Sequence, residues 1–373
     1  MTSASPAAPA GSSASAPEST AAPAVAASSA VSGPPTSPPA APGSPVLADL
    51  SPGVRRLVQI AFWGNLLCQM GIIVTGGVVR LTGSGLGCST WPNCEPGQFT
   101  PQYTPAMGIH PFIEFGNRTL TGVLTVFALA VLLVTLRWLR GKGRGFVALS
   151  VWPLVLTLVQ AVLGGITVWM DLHPGVVGPH FLGSVALIAI SVVLLVRLYD
   201  GDERRRRAVP RALVPLLWAL AAVAAVVLLL GTVVTGSGPH SGDAENPVRL
   251  PLDPRMMSWL HADAVMLFCG LLIGVLVAVH LVVAPVAARR AARILLLVTV
   301  LQAILGYTQY FTDLPELLVG LHLAGAALFT ATVTWVVATG WTWNRATDLD
   351  PAVRDAADPA ALPAGAPDET DAR

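Results

Sequence analysis

Eight long apolar stretches alternate with short polar breaks along this chain. They run over roughly 57–80, 112–138, 146–170, 176–198, 211–235, 257–283, 290–311 and 316–342. Each holds about 20 consecutive apolar residues, enough for an α-helix to cross the roughly 30 Å hydrocarbon layer of a bilayer. The breaks between them alternate in charge. Arg55 and Arg56 precede the first span. Arg137, Arg140, Lys142 and Arg144 follow the second; Arg197, Arg204 to Arg207 and Arg211 follow the fourth; Arg289, Arg290 and Arg293 follow the sixth. The intervening breaks are poor in bases, so the positive-inside rule predicts that both termini are cytoplasmic.

One stretch of the pattern occurs twice. LVQAVLGGITVWMDLHPGVVGPHFLGSVAL begins at Leu158, and VLQAILGYTQYFTDLPELLVGLHLAGAALF begins at Val300. The offset is constant: 302 − 160 = 142 for Gln160 and Gln302, and 322 − 180 = 142 for His180 and His322. Gly164 matches Gly306, Asp171 matches Asp313, and Gly183 matches Gly325. A repeat of this kind sets the architecture. It predicts an all-α polytopic membrane protein with eight transmembrane helices, built as two tandem four-helix bundles. Each half has an even number of spans, so the halves are expected to be related by a pseudo-two-fold axis along the membrane normal. Residues 51–200 form the first bundle and 201–343 the second. Residues 1–50 are rich in Ala, Ser, Pro and Gly, residues 344–373 are acidic, and both are expected to be disordered tails.

Composition agrees: 53% of the 373 residues are hydrophobic and 12% charged. The net charge of +1 gives no electrostatic reason for a nucleic-acid partner.

The histidines carry the first candidate chemistry. His180 and His322 fall near the outer ends of the fourth and eighth spans, and His261 near the outer end of the sixth. The second half therefore offers two imidazoles at matching depth on facing helices, a donor set suited to bis-histidine haem ligation. At the position related to His261 by 261 − 144 = 117, the first half has Asn117. His110, His173 and His240 are placed in outer loops and His280 at the opposite interface. Gln160 and Gln302 are expected to bond between helices, and Asp171, Asp263 and Asp313 to mark helix ends. Glu114 lies one turn before Asn117. A carboxylate in a membrane span is a functional candidate by default, and Arg118, four residues on, can neutralise it. Cys68 and Cys269 fall within spans as packed thiols. Cys88 and Cys94 fall in the first outer loop, on the oxidising side, where a short disulfide loop is expected. They are too few to make a zinc site with a scattered histidine.

Six segments together resemble the heme A synthase family: VVRLTGSGLGCSTWPNC, IEFGNR, GPHFLGS, VVTGSGPHSGD, LHADAVM and GLHLAGA. They occur in the family's order across residues 55–342. The resemblance implies an enzyme of the cell membrane that oxidises the C8 methyl group of haem O to the formyl group of haem A, by two hydroxylations and a dehydration. It implies a haem b in the second half on His261 and His322, with no isolated metal ion. It places haem O in the first half near His180, Asn117 and Arg118, with Glu114 as the essential carboxylate. It matches Cys88 and Cys94 to the family's outer cysteine pair. A heme O synthase and a second copy of the chain are the protein partners considered, and the electron donor is not named by the sequence. The chain departs from the family in two places. Span two carries Glu-x-x-Asn where the family has Glu-x-x-His, and the loop GSGPHSGDAENPVR lacks the second cysteine pair of many members. Two other functions fit the same residues: a bis-histidine haem b electron carrier and a transporter of haem or another small molecule.

Overall fold

A computed structural model describes residues 47–201, 205–243, 245–282 and 284–342, and residue 352. The expected tails fall outside these, apart from residues 47–50 and 352, and so does Arg204. Eight helices dominate: α1 (Pro52–Leu81), α2 (His110–Trp138), α3 (Arg144–Trp169), α4 (Pro174–Tyr199), α5 (Leu213–Ser237), α6 (Pro254–Leu281), α7 (Val286–Phe311) and α8 (Glu316–Ala338). All eight are long and apolar enough to cross a membrane. The protein is an all-α polytopic membrane protein. In lipid a helix satisfies its own backbone, so the apolar runs take that form. Proline opens α1, α4 and α6, where its missing N–H has no intrahelical partner to lose. The outward faces carry Leu67, Val126, Leu133, Ile273, Leu297 and Ile304 in the open, as contact with lipid tails requires.

Two hydrophobic cores lie inside. One gathers Phe62, Leu66, Val131, Phe146, Ile188 and Leu195 from α1 to α4, with the Phe62 and Phe146 rings 6.0 Å apart. The other gathers Leu220, Phe268, Leu272, Leu295, Phe329 and Val333 from α5 to α8, with Phe268 and Phe329 edge to face at 4.9 Å. Helices α1 and α4 pack on α8, joining the two.

The two ends of the bundle are closed differently. At the basic end, Lys142 Nζ donates to the carbonyls of Arg197 at 3.1 Å and Asp200 at 2.8 Å. Two short strands, β1 (Arg206–Arg207) and β2 (Trp341–Thr342), pair antiparallel there. At the other end, Arg80 closes α1 by donating to the Thr235 carbonyl at 2.7 Å and to that of His240. Gly85 N donates to Gly242 O at 2.9 Å, and His240 Nε2 lies 2.9 Å from Leu314 O.

The repeat is visible in the backbone. Asp171 and Leu172 have φ of 48° and 57°, and Asp313 and Leu314 have 60° and 58°. Leu172 N donates to Thr167 O, and Leu314 N to Gln309 O, both at 2.8 Å. This closes α3 and α7 with the long-range bond of a Schellman-type end, in a conformation usually left to glycine. Leu172 repays the turn by packing on Gly85, where a Cβ would stand 2.5 Å from its Cδ1. Two expectations change. Asp263 is not a helix-end residue: Asp253 caps α6 by accepting from Arg255 N at 2.9 Å, so Asp263 lies inside the helix, exposed. His110 is the first residue of α2 rather than a loop residue.

Candidate functional site

Each membrane histidine rests on a glycine of a neighbouring helix. A Cβ at Gly164 on α3 would stand 3.5 Å from Cε1 of His180 on α4, and one at Gly306 on α7 would stand 3.4 Å from Cε1 of His322 on α8. A Cβ at Gly231 on α5 would stand 3.4 Å from Cε1 of His261 on α6. Without these side chains the rings lie directly on helix backbone.

The expected bonds of the two glutamines are present. Gln160 Nε2 donates to His180 O at 2.6 Å and to Ser184 Oγ at 2.9 Å; Gln302 Nε2 donates to His322 O at 3.1 Å. The room for them comes from glycine again. A Cβ at Gly183 would stand 2.6 Å from Gln160 Oε1, and one at Gly325 would stand 2.0 Å from Gln302 Nε2. Gln, Gly, His and Gly therefore recur at one spacing because they form one device: glutamine pins the histidine's helix to its neighbour while the ring stays unengaged.

Among the described residues, Nδ1 of His180, His261 and His322 is buried without a hydrogen-bond partner. A buried polar atom left unpaired is costly unless something else binds it. Uncommitted imidazoles on α6 and α8, held by glycine cradles, fit the donor set of a bis-histidine haem.

The first half differs at one place. Asn117 Oδ1 accepts from Thr75 Oγ1 on α1 at 2.7 Å. Its amide N–H groups are thereby turned away from Thr75. On α1, a Cβ at Gly71 would meet nothing within 4 Å among the described residues. Gly71 and Thr75 correspond to Gly231 and Thr235, since 231 − 71 = 235 − 75 = 160. The shared run GxxVTG, GIIVTG from Gly71 and GTVVTG from Gly231, is the signal that could have revealed this second register.

Glu114 and Asn117 serve different neighbours although they share α2. Glu114 is buried. Its Oε1 accepts from Arg118, at 3.0 Å from Nε, and its Oε2 accepts from Cys88 N at 2.6 Å. Arg118 Nη1 also donates to Thr90 O at 2.8 Å. The pair therefore holds the loop closed by the Cys88–Cys94 disulfide, whose S–S distance is 2.06 Å. Trp91 from the same loop stacks edge-on against Trp169 and covers Gly165, where a Cβ would stand 2.4 Å from it. That position adjoins Gly164, the cradle of His180. Sequence patterns gave no sign of the Cys88 bond or of Trp91. Cys68 and Cys269 are free and half-buried in α1 and α6, and His280 is exposed at the basic end of α6.

Comparison with known proteins gives a consistent result. Residues 59–334 match the family described as cytochrome oxidase assembly protein. A heme A synthase of Bacillus pumilus is 34% identical over 135 residues, covering 36% of this chain and 42% of that one. One from Exiguobacterium is 28% identical over 186 residues, covering 48% and 59%. One from Shouchella clausii is 34% identical over 157 residues, covering 42% and 48%. The chain spans about half the length of the curated relatives it matches.

Proposed function

The chain belongs to the cytochrome oxidase assembly protein family, and on that premise we propose that it oxidises haem O to haem A. The observation that carries this reading is the repeated Gln–Gly–His–Gly device. It presents an uncommitted imidazole in both halves, with a partner histidine in one half only.

In the second half His261 and His322 would hold haem b. That group, when bound, supplies one-electron transfer. Gln302, Gly306 and Gly231 keep the two rings in place for it. In the first half His180 would be the only strong protein ligand to the iron of haem O. Asn117, with its carbonyl oxygen engaged by Thr75, offers amide N–H groups on the opposite side. Each hydroxylation of the C8 methyl carbon replaces one C–H bond with C–OH. It is a two-electron oxidation that needs an external oxidant, of the class of dioxygen with an electron donor, one oxygen atom entering the product and the other leaving as water. Loss of water from the resulting gem-diol leaves the formyl group.

Glu114 would accept or release the protons of these steps at its carboxylate, with Arg118 and Cys88 N stabilising the charged form. Trp91 and the disulfide loop would keep water from the His180 cradle. The expected topology has both termini in the cytoplasm and the haem sites towards the outer face.

Expression in a host that makes haem O but lacks its own enzyme for haem A tests the proposal. Extracted pigment should contain haem A. Haem b with unchanged haem O would instead make the protein an electron carrier.

A further inference from the structure

We propose that His110 is the proton relay between outer water and Glu114, through which the protons consumed in oxidising the substrate haem enter. This deepens the proposed function and rests on it.

The loop after α1 lies along the first turn of α2. A Cβ at Gly87 would stand 2.5 Å from His110 O and 2.8 Å from Pro111 N, so glycine is what lets the two backbones meet. On either side of that contact the loop holds one α2 side chain. Ser84 Oγ lies 2.8 Å from His110 Nδ1, and Cys88 N donates to Glu114 Oε2 at 2.6 Å. His110 and Glu114 are four residues apart, so they are neighbours on one helix face, with Cβ atoms about 5–6 Å apart. A single bridging water can join two polar groups across such an interval.

The hydrogen bonds decide which nitrogen of His110 is free. Thr82 Oγ1 donates to the Val78 carbonyl at 2.8 Å, and a carbonyl can only accept. The Thr82 proton is thus used, which makes Ser84 Oγ the donor in its 2.7 Å bond to Thr82 Oγ1. Ser84 then has only lone pairs to offer His110, so Nδ1 carries the ring proton and donates it. Nε2 keeps its lone pair. It has no partner among the described residues, and it is not one of the buried polar atoms left unpaired, so it meets water. Ser84 itself is fully buried and Thr82 is exposed. A chain of hydroxyls therefore holds a free base at the end of the bundle opposite the basic loops, one turn from a buried carboxylate.

The chemistry needs such a group. In each hydroxylation the methyl group, dioxygen, two electrons and two protons give the alcohol and water. Glu114 can hand over one proton at a time and must be refilled. Arg118 and Cys88 N hold its carboxylate by hydrogen bonds but do not give up their protons. Histidine is the side chain suited to taking up and releasing protons near neutral pH. Nε2 takes a proton from water and passes it to the Glu114 carboxylate, while Nδ1–H stays on Ser84 and keeps the ring in place. The second half lacks all four parts. By the offset of 144, Pro254 and Ser258 stand where His110 and Glu114 do, and by 160, Gly242 and Ala244 replace Thr82 and Ser84. Ser258 spends its hydroxyl on Pro254 O at 2.8 Å. The half read as holding a resident haem, which moves only electrons, has no relay, and the half read as taking the substrate has one.

The test uses the full chain in lipid nanodiscs, loaded with haem b and haem O and supplied with dioxygen and ascorbate with a redox mediator. Haem A is measured in timed extracts at low buffer concentration. His110→Asn places an amide N–H where Nδ1–H was, so the Ser84 bond is kept and the free base is lost. It should form haem A about tenfold more slowly. Added morpholine-ethanesulfonate, a weak acid that does not ligate iron, should restore most of the rate, and the haem spectra should not change. Glu114→Gln should stay slow in the same buffer.

A wild-type rate in His110→Asn would overturn the relay and leave the proposed function standing. So would a slow His110→Asn that the buffer does not rescue, since a purely structural role predicts that result. If His110→Asn loses haem b, His110→Gln replaces it in the assay with the same expected rescue, and loss of haem b from both would make His110 structural and overturn the relay. No haem A from the wild-type chain under this supply would overturn both readings.

Discussion

Replacing Gly325 by alanine tests whether the glutamine device positions the histidine. The new Cβ would stand 2.0 Å from Gln302 Nε2. That atom is the far end of a flexible side chain, so the amide swings aside and the backbone stays. What is lost is the 3.1 Å bond to His322 O, and the amide is left stranded among apolar helices. Stranding a buried polar group costs about 1–3 kcal/mol. If the cost falls on the His322 position, haem b affinity drops by about 5- to 150-fold. The double variant Gln302→Ala with Gly325→Ala removes the stranded amide. It should therefore bind haem b more tightly than Gly325→Ala alone, a non-additivity expected of groups in contact. Spectral titration of the protein with haem b measures all three. Gly183→Ala does the same to Gln160 in the first half and should spare haem b. Unchanged haem b affinity in Gly325→Ala, or a double variant worse than the single, would refute the reasoning.

Four further outcomes are expected. Glu114→Gln removes the titratable group while keeping its shape, so pigment extracts should retain haem b and stop at haem O or a hydroxylated haem, with haem A reduced by about 100-fold or more. Asn117→His places a ring where Gly71 leaves room; absorption spectra of the substrate haem should shift towards low spin, and an unchanged spectrum would deny that Asn117 faces the iron. A topology reporter after Arg207 should be cytoplasmic and one after Gly97 external, and thiol labelling of Cys88 and Cys94 should need prior reduction.

Much of the device was legible in the sequence because α3–α4 and α7–α8 keep one offset without a gap. Gln160, His180 and Gly183 could be matched to Gln302, His322 and Gly325 by counting. The relation between α1 and α5 escaped the same counting. The loop carrying Cys88 and Cys94 shifts the register from 160 to 144, a difference of 16 residues. Gly71 and Thr75 went unseen for that reason. The Glu114–Arg118 pair follows from helical spacing, but its hold on Cys88 N depends on how a loop folds back over α2. Arg80 looked like the end of a span. Its bonds to the Thr235 and His240 carbonyls depend on packing between the two halves, which no local pattern records. Asp263 was misplaced because acidic residues usually mark helix ends, whereas Asp253 had already taken that role.

The central claim is that one half holds a resident haem and the other takes the substrate. Pigment analysis of His180→Ala beside His322→Ala, each expressed with a haem O supply, tests it most directly. His180→Ala should keep haem b and make no haem A, and His322→Ala should lose haem b. Loss of haem b in His180→Ala with its retention in His322→Ala would contradict the division of the molecule.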